Sequence, residues 1–274
     1  MNIRTIVVNL DVDFYSPEIL QCAVSLATRF DAKLIGLAAA EPSTVAVGFA
    51  GAVALAVAYA EGRQQIETRL HTLETEFRVQ VPAELQLAWH AAIEPPNDSL
   101  LVTAKRADLI LTAMPAGKDV SRARTVDVGE LVTSAGRPVL AVGGATRKFT
   151  GQRIVIGWKD TREARRAVAD ALPFLKVADE VVIATVSEGD DIEEKASLDG
   201  VVAWLGQHGI NPRSEIVPVD VNGIGATLTS VARSIDADLI VSGAYGHSRV
   251  REWFLGGMTK ELLATEALNR FLSN

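Results

Sequence analysis

The segment "RADLILTA" at residues 106–113 returns as "DADLIVSG" at residues 236–243, a shift of 130 positions. An internal duplication constrains a fold more than any single motif, because each copy must build the same unit. Each copy follows a helical pattern, "NDSLLVTAK" in one case and "ATLTSVARSI" in the other. Each half also opens with a short apolar run and an amphipathic segment, "TIVVNLDVDFYSPEILQCAVSLATRF" first and "RIVIGWKDTREARRAVADALPFL" second, here 148 positions apart. The excess of 18 falls around residues 45–60, so the first copy carries an insertion or a longer second helix. The stretch "GGATRKFTGQ", residues 143–152, has linker composition and divides the chain into units 1–145 and 151–274.

Within each unit short β-branched runs alternate with helical patterns. In the second these runs are "RIVIGW", "EVVIATV", "SEIVPVDV", "DLIVSG" and "RFLS". That alternation predicts an α/β class: two tandem doubly wound, Rossmann-like units, each with a five-stranded parallel sheet covered on both faces. Ligands of such sheets bind at the carboxyl ends of the strands, where the strand order reverses. The loops after strands one and four are therefore the places for chemistry.

Composition limits the partners. The 274 residues are 48% hydrophobic and 22% charged, which excludes a disordered chain. A net charge of -7 gives no global attraction to nucleic acid or to an anionic membrane, so any anion site must be built locally. Cys22 has no second cysteine to pair with and reads as a small buried hydrophobe. The N-terminus lacks a signal-peptide layout, from which a cytoplasmic protein is expected. "VAVGFAGAVALAVAYA", residues 45–60, is uncharged over sixteen residues, short of the ~20 that span a bilayer. It reads as the apolar start of a long helix or a flap, buried against its own unit or packed on a partner subunit.

The loop after strand four of the second unit, "GAYGHSRVREWFLGGMT", places Gly243, Gly246, Gly256 and Gly257 ahead of the helical pattern "MTKELLATEA". Glycines allow close approach to the backbone, and a helix N-terminus offers unpaired N–H groups and partial positive charge, a setting suited to phosphate. Thr259 adds a hydroxyl to the first turn, and His247, Arg249 and Arg251 add cationic character.

The spacing G-x2-G-x9-G at Gly243, Gly246 and Gly256, after strand four of a five-stranded α/β unit, resembles the ATP-binding signature of the universal stress protein family. With the duplication, the whole chain resembles a tandem member. The resemblance implies that backbone around Gly243 and Gly246 wraps ribose and phosphates, that Gly256, Gly257, Met258 and Thr259 hold the terminal phosphates, and that backbone at Val186 meets adenine. Two positions depart from the family pattern: Gly257 stands where Ser or Thr is usual, and Lys159 stands at the strand-one Asp position. Lys159 reads either as a phosphate partner or as a solvated charge. In the first unit Asp11 fits that Asp, but "TAMPAGKDVSRARTVDVGE" lacks the glycine spacing, and Pro115 removes an N–H. One nucleotide site per chain is therefore expected, in the second unit, with a degenerate first unit.

Rival motifs are weaker. "NGIGAT" has Gly223 and Gly225 but Leu228 in third place, and reads as a tight turn into a helix. No P-loop occurs, four scattered histidines form no metal cluster, and His90 reads as a hydrogen-bonded structural residue. The run "SEGDDIEEK" reads as a solvated acidic loop. The favoured expectation is an ATP-binding stress-response or signalling protein, with or without magnesium, whose catalysis amounts at most to slow hydrolysis. A scaffold binding another small ligand or a partner, and an enzyme acting at a nucleotide α-phosphate, are the alternatives. A homodimer or an intrachain pseudo-dimer is expected, with the more apolar "RPVLAVGG" better suited to strand pairing than "NRFLSN".

Overall fold

The structure is a computed structural model that describes residues 2–42, 52–114, 121–143, 149–187, 189, 191–244 and 268–274. Contacts divide the chain into two compact units, Ile3–Ala135 and Gly136–Asn274.

The first unit runs β1 (Thr5–Asn9), α1 (Pro17–Phe30), β2 (Lys33–Ala39), α2 (Ala52–Gln80), β3 (Leu87–Ala92), α3 (Pro96–Ala104), β4 (Leu109–Ala113) and α4 (Val128–Ser134). Its strands are parallel in the order β3-β2-β1-β4. The second unit begins with β5 (Val139–Val142), then β6 (Arg153–Gly157), α5 (Arg162–Leu175), β7 (Glu180–Ser187), α6 (Asp191–Gln207), β8 (Arg213–Pro218), α7 (Ile224–Ser234), β9 (Leu239–Gly243) and β10 (Asn269–Ser273). Its order is β8-β7-β6-β9-β10-β5, parallel except that β10 and β5 run antiparallel. All five strand runs read from the second copy are strands. The apolar run "RPVLAVGG", which closes the first sequence copy, packs instead within the second compact unit, against that copy's last strand.

The repeated "ADL" has the same job twice. In the first copy Asp108 Oδ2 accepts from the N–H groups of Arg4 and Thr5, at 2.8 and 3.0 Å. In the second, Asp238 Oδ2 accepts from Thr150 and Gly151 N–H, at 2.5 and 3.0 Å, and from the Thr150 hydroxyl at 2.7 Å. Each carboxylate ties the chain entering the first strand of the repeat to the start of the fourth. Charge-assisted bonds of this kind outweigh neutral ones, so the most repeated polar residue serves architecture.

The helices follow from capping and pattern. Thr161 caps α5 by accepting from Ala164 N–H at 3.2 Å, and Ala164, Ala167, Val168, Ala171, Leu172 and Leu175 form its buried face. Phe174 of α5 meets Phe271 of β10 edge-on, with centroids 5.5 Å apart. Arg270 beside it is wholly buried; burial, with Arg233 nearby, draws its guanidinium down to about 10. Gly223, at φ 97°, makes the turn into α7, which is the role read for "NGIGAT".

Three expectations are corrected. The apolar start of α2 is not buried against its unit: Val53, Leu55, Val57 and Tyr59 are exposed, and burial begins at Ile66, continuing through Leu70, Leu73 and Phe77. Residues 45–51 of that run lie outside the described residues. The acidic run is not all loop either, because Asp191, Glu193 and Glu194 belong to α6, where negative charge complements the helix N-terminus. His90 is half-buried on β3 and has no hydrogen-bond partner among the described residues, where a hydrogen-bonded histidine was expected. Among the described residues no helix is long and apolar enough to cross a membrane.

Candidate functional site

In the second unit β6 connects to β7 on one side, while β9 lies on its other side, so the strand order reverses between β6 and β9. The crevice outside their carboxyl ends is the place where such a sheet holds a ligand. The same ladder continues past β1 and β6: Leu10 N–H donates to Leu37 C=O at 2.8 Å, and Trp158 N–H to Ala184 C=O at 2.9 Å. The next residues, Asp11 and Lys159, are therefore structural equivalents.

The two side chains carry opposite charge. Lys159 is exposed at the end of β6. The arginines that follow are each matched: Arg162 with Glu163 at 3.1 Å, Arg165 with Asp160 at 2.7 Å, and Arg166 with Asp170 at 2.8 Å. Lys159 alone of these four cations has no carboxylate partner among the described residues. Glu163 is buried at the start of α5, and burial works against its charge. Its own backbone N–H, Arg162 and Thr161 nevertheless hold the carboxyl below its usual range.

At the other strand end, Gly243 closes β9 against α5. A Cβ there would lie 2.5 Å from Ala164 N and 2.6 Å from Glu163 C, both backbone atoms. Its missing side chain is thus required by packing, a reason beyond the ligand approach read from the glycine spacing. Val186 sits near the end of β7 with its side chain packed on the cluster that includes Leu228 and Ile240, leaving its backbone at the carboxyl end of the sheet. Gly246, Gly256, Gly257, Met258 and Thr259 lie outside the described residues.

Sequence reading passed over Gly157 and Ser242, which pair across β6 and β9 at the reversal. A Cβ on Gly157 would meet Leu228 Cδ1 of α7 at 2.7 Å, so this face is filled by α7. Ser242 is 1% exposed, and its hydroxyl has no partner among the described residues. A polar residue just before the glycine in "LIVSG" was the available signal.

At the equivalent place in the first unit the described residues bond to one another. Asp11 is buried, and its Oδ1 accepts from Asp13 and Phe14 N–H at 2.9 and 2.8 Å. Burial pushes its carboxyl up, against the pull of those two bonds. Arg124, from the chain leading into α4, grips Asp13 through two bonds of 2.6 Å. Its hydrogen bond to Asp13 raises the guanidinium still further. Ala123 C=O accepts from Glu41 N–H at 2.6 Å, just beyond β2. An arginine and a carbonyl of the protein therefore stand at the carboxyl ends of β1 and β2.

No family model and no curated protein matches the sequence. Solved structures match its fold over nearly the whole length. A universal stress protein from Archaeoglobus fulgidus DSM 4304 is 15% identical with a TM-score of 0.71, covering 98% of this chain and 96% of that one. A protein assigned as a universal stress protein from Pseudomonas aeruginosa UCBPP-PA14 is 18% identical with a TM-score of 0.65, covering 99% and 93%. The cytoplasmic domain of a prokaryotic cation chloride cotransporter is 10% identical with a TM-score of 0.54, covering 99% and 95%. The chain thus has the tandem fold of universal stress proteins, and one fold serves proteins of different kinds.

Proposed function

We propose that the protein binds one adenine nucleotide, ATP, at the carboxyl ends of β6, β7 and β9, and that occupancy rather than turnover is its output in a stress-response or signalling role. The observation that carries this reading is Lys159: at the strand-order reversal, it is the cation in its segment left without a carboxylate among the described residues. A lysine so placed suits a phosphate as a point charge. The first unit presents the opposite chemistry, buried Asp11 and the Asp13–Arg124 pair, which disfavours an anion there.

The described residues fit such a ligand in three ways. Lys159 would neutralise phosphate charge. Backbone at Val186 would hydrogen-bond the edge of the base. The strand end at Gly243 would bring chain close to the ribose, with Gly246, Gly256, Gly257, Met258 and Thr259 completing the phosphate cradle. Magnesium would travel with the triphosphate.

Purified full-length protein heated with Mg-ATP tests the reading. At 100-fold excess over Kd, binding adds ~2.7 kcal/mol of stability, a shift of several degrees. Lys159→Glu, on an exposed side chain, should fold normally and lose at least tenfold in affinity, since a charge-assisted bond contributes ~1.5–3 kcal/mol. No shift for the natural protein, or equal shifts for both, overturns it. A partner-binding scaffold is the second reading, favoured by exposed Val53, Leu55, Val57 and Tyr59 on α2. A chain that ignores nucleotides yet forms a complex lost on Val57→Lys would support it.

A further inference from the structure

A cleft of about 500 Å³ opens between α5 and α6, lined among others by Trp158, Arg165, Ser197, Gly200 and Trp204. Its size is that of a small-molecule pocket, which is typically apolar with a few placed polar groups. Lys159 is not among the lining residues, and nothing in the nucleotide reading uses this cleft.

The cleft has a built character. Val168 from α5 and Val201 from α6 face it, and the indoles of Trp158 and Trp204 supply two aromatic surfaces. Trp158 is only 7% exposed, and its Nε1–H donates to Ser197 Oγ at 2.9 Å. That bond uses the serine oxygen as acceptor and leaves its hydroxyl hydrogen to donate; no acceptor for it occurs among the described residues. Gly200 sits inside α6, where glycine costs ~1 kcal/mol relative to alanine. A Cβ at Gly200 would meet nothing within 4 Å, so no neighbour demands glycine there. A larger side chain at this position therefore has room to enter the cleft that Gly200 lines.

The rim is donor-rich. Arg165 Nε and Nη2 both reach Asp160 Oδ1, each at 2.7 Å. A guanidinium has five N–H donors, so three remain unused by Asp160 on a residue that lines the same cleft as Ser197. Two indoles select a flat aromatic body, and although Asp160 offsets the charge of Arg165, the N–H groups that it leaves unused suit the two-oxygen fork of a carboxylate. We infer that the cleft between α5 and α6 is a second ligand site, which takes a planar aromatic carboxylate: ring against the indole-lined wall, carboxylate toward Arg165 and Ser197.

Titration calorimetry of the full chain with indole-3-acetate, and with tryptamine as the same ring of opposite charge, tests this. One equivalent of indole-3-acetate should bind, and tryptamine at least tenfold more weakly. Gly200→Leu fills the cleft while improving helix propensity, so its melting point should hold or rise while binding falls at least tenfold. Arg165→Gln should weaken the acid at least tenfold and leave tryptamine unchanged. Absence of heat with the natural protein, unchanged binding by Gly200→Leu, or tryptamine binding as tightly as the acid overturns the inference. The Mg-ATP thermal shift of Gly200→Leu should equal that of the natural chain, which separates failure here from failure of the nucleotide reading.

Discussion

Gly243 and Gly157 lie at the ends of neighbouring strands, and an added methyl would crowd both, yet the consequences differ by what it meets. At Gly243 the obstacle is backbone of α5, which cannot turn aside; at Gly157 it is the end of the Leu228 side chain, which can. Gly243→Ala should therefore cost ~3 kcal/mol or more and Gly157→Ala ~1 kcal/mol, read from urea midpoints; equal costs would refute the distinction. Asp11 offers a second test. Its carboxyl is raised by burial, so the charged form is penalised in the folded state and that penalty is present at neutral pH. Below the unfolded value, near pH ~4, both states are protonated and the penalty vanishes. Asp11→Asn keeps an oxygen for the Asp13 and Phe14 N–H groups, so it should hold or raise stability at pH 7 and lose that gain by pH 3. Thermal melts at the two pH values decide, and a loss of stability at pH 7 alone would reverse the assignment. Gly243 could be found from spacing, and Lys159 from the resemblance of the strand-one end. The pairing of Ser242 with Gly157 and the Trp158–Ser197 bond could not, since which strand or helix lies beside which is not encoded in local pattern.

Helix α2 shows how far periodicity reaches. Its buried stripe, Ile66, Leu70, Leu73 and Phe77, follows helical spacing and was readable as a helix packed on its unit. The preceding run is apolar without period, and composition alone does not say which neighbour covers it. Val53 is 79% exposed and Val57 52%, while Phe77 is fully buried, with a centroid 5.4 Å from that of Trp89. Replacing Val53 and Val57 together with Gln should change unfolding free energy by no more than ~0.5 kcal/mol per site, whereas Phe77→Ala should cost ~3–5 kcal/mol. Chemical denaturation of the two variants checks this; a large loss from the valine pair would mean that this surface is covered in the protein as it exists.

Duplication makes the chain legible as two βα repeats, but repeat and compact unit do not share a boundary. The repeat places the division near residues 146–150, after "RPVLAVGG"; compactness places it between Ala135 and Gly136. The difference is β5. Its residues Val139, Leu140 and Ala141 pair antiparallel with Leu272, Phe271 and Arg270, so β10 is an interior strand flanked by β9 and β5. Without β5, β10 would expose a row of unpaired N–H and C=O groups beside the buried Arg270 and Phe271. Asn269 reinforces the join by accepting from Gly143 N–H at 3.1 Å and donating to Asp238 C=O at 2.8 Å. The sequence allowed this pairing through "RPVLAVGG" as one of two options and could not choose it over a homodimer, because two equivalent strands pairing across a repeat leave each copy's pattern intact. A fragment of residues 136–274 should therefore fold cooperatively, whereas 151–274 should lose the β5 ladder, the Asn269–Gly143 bond and the Thr150 contacts of Asp238. Circular dichroism melts and limited proteolysis of both fragments decide the matter: the shorter should aggregate or melt without a sharp transition, and two equally cooperative fragments would show that the unit is complete without the strand from the first copy.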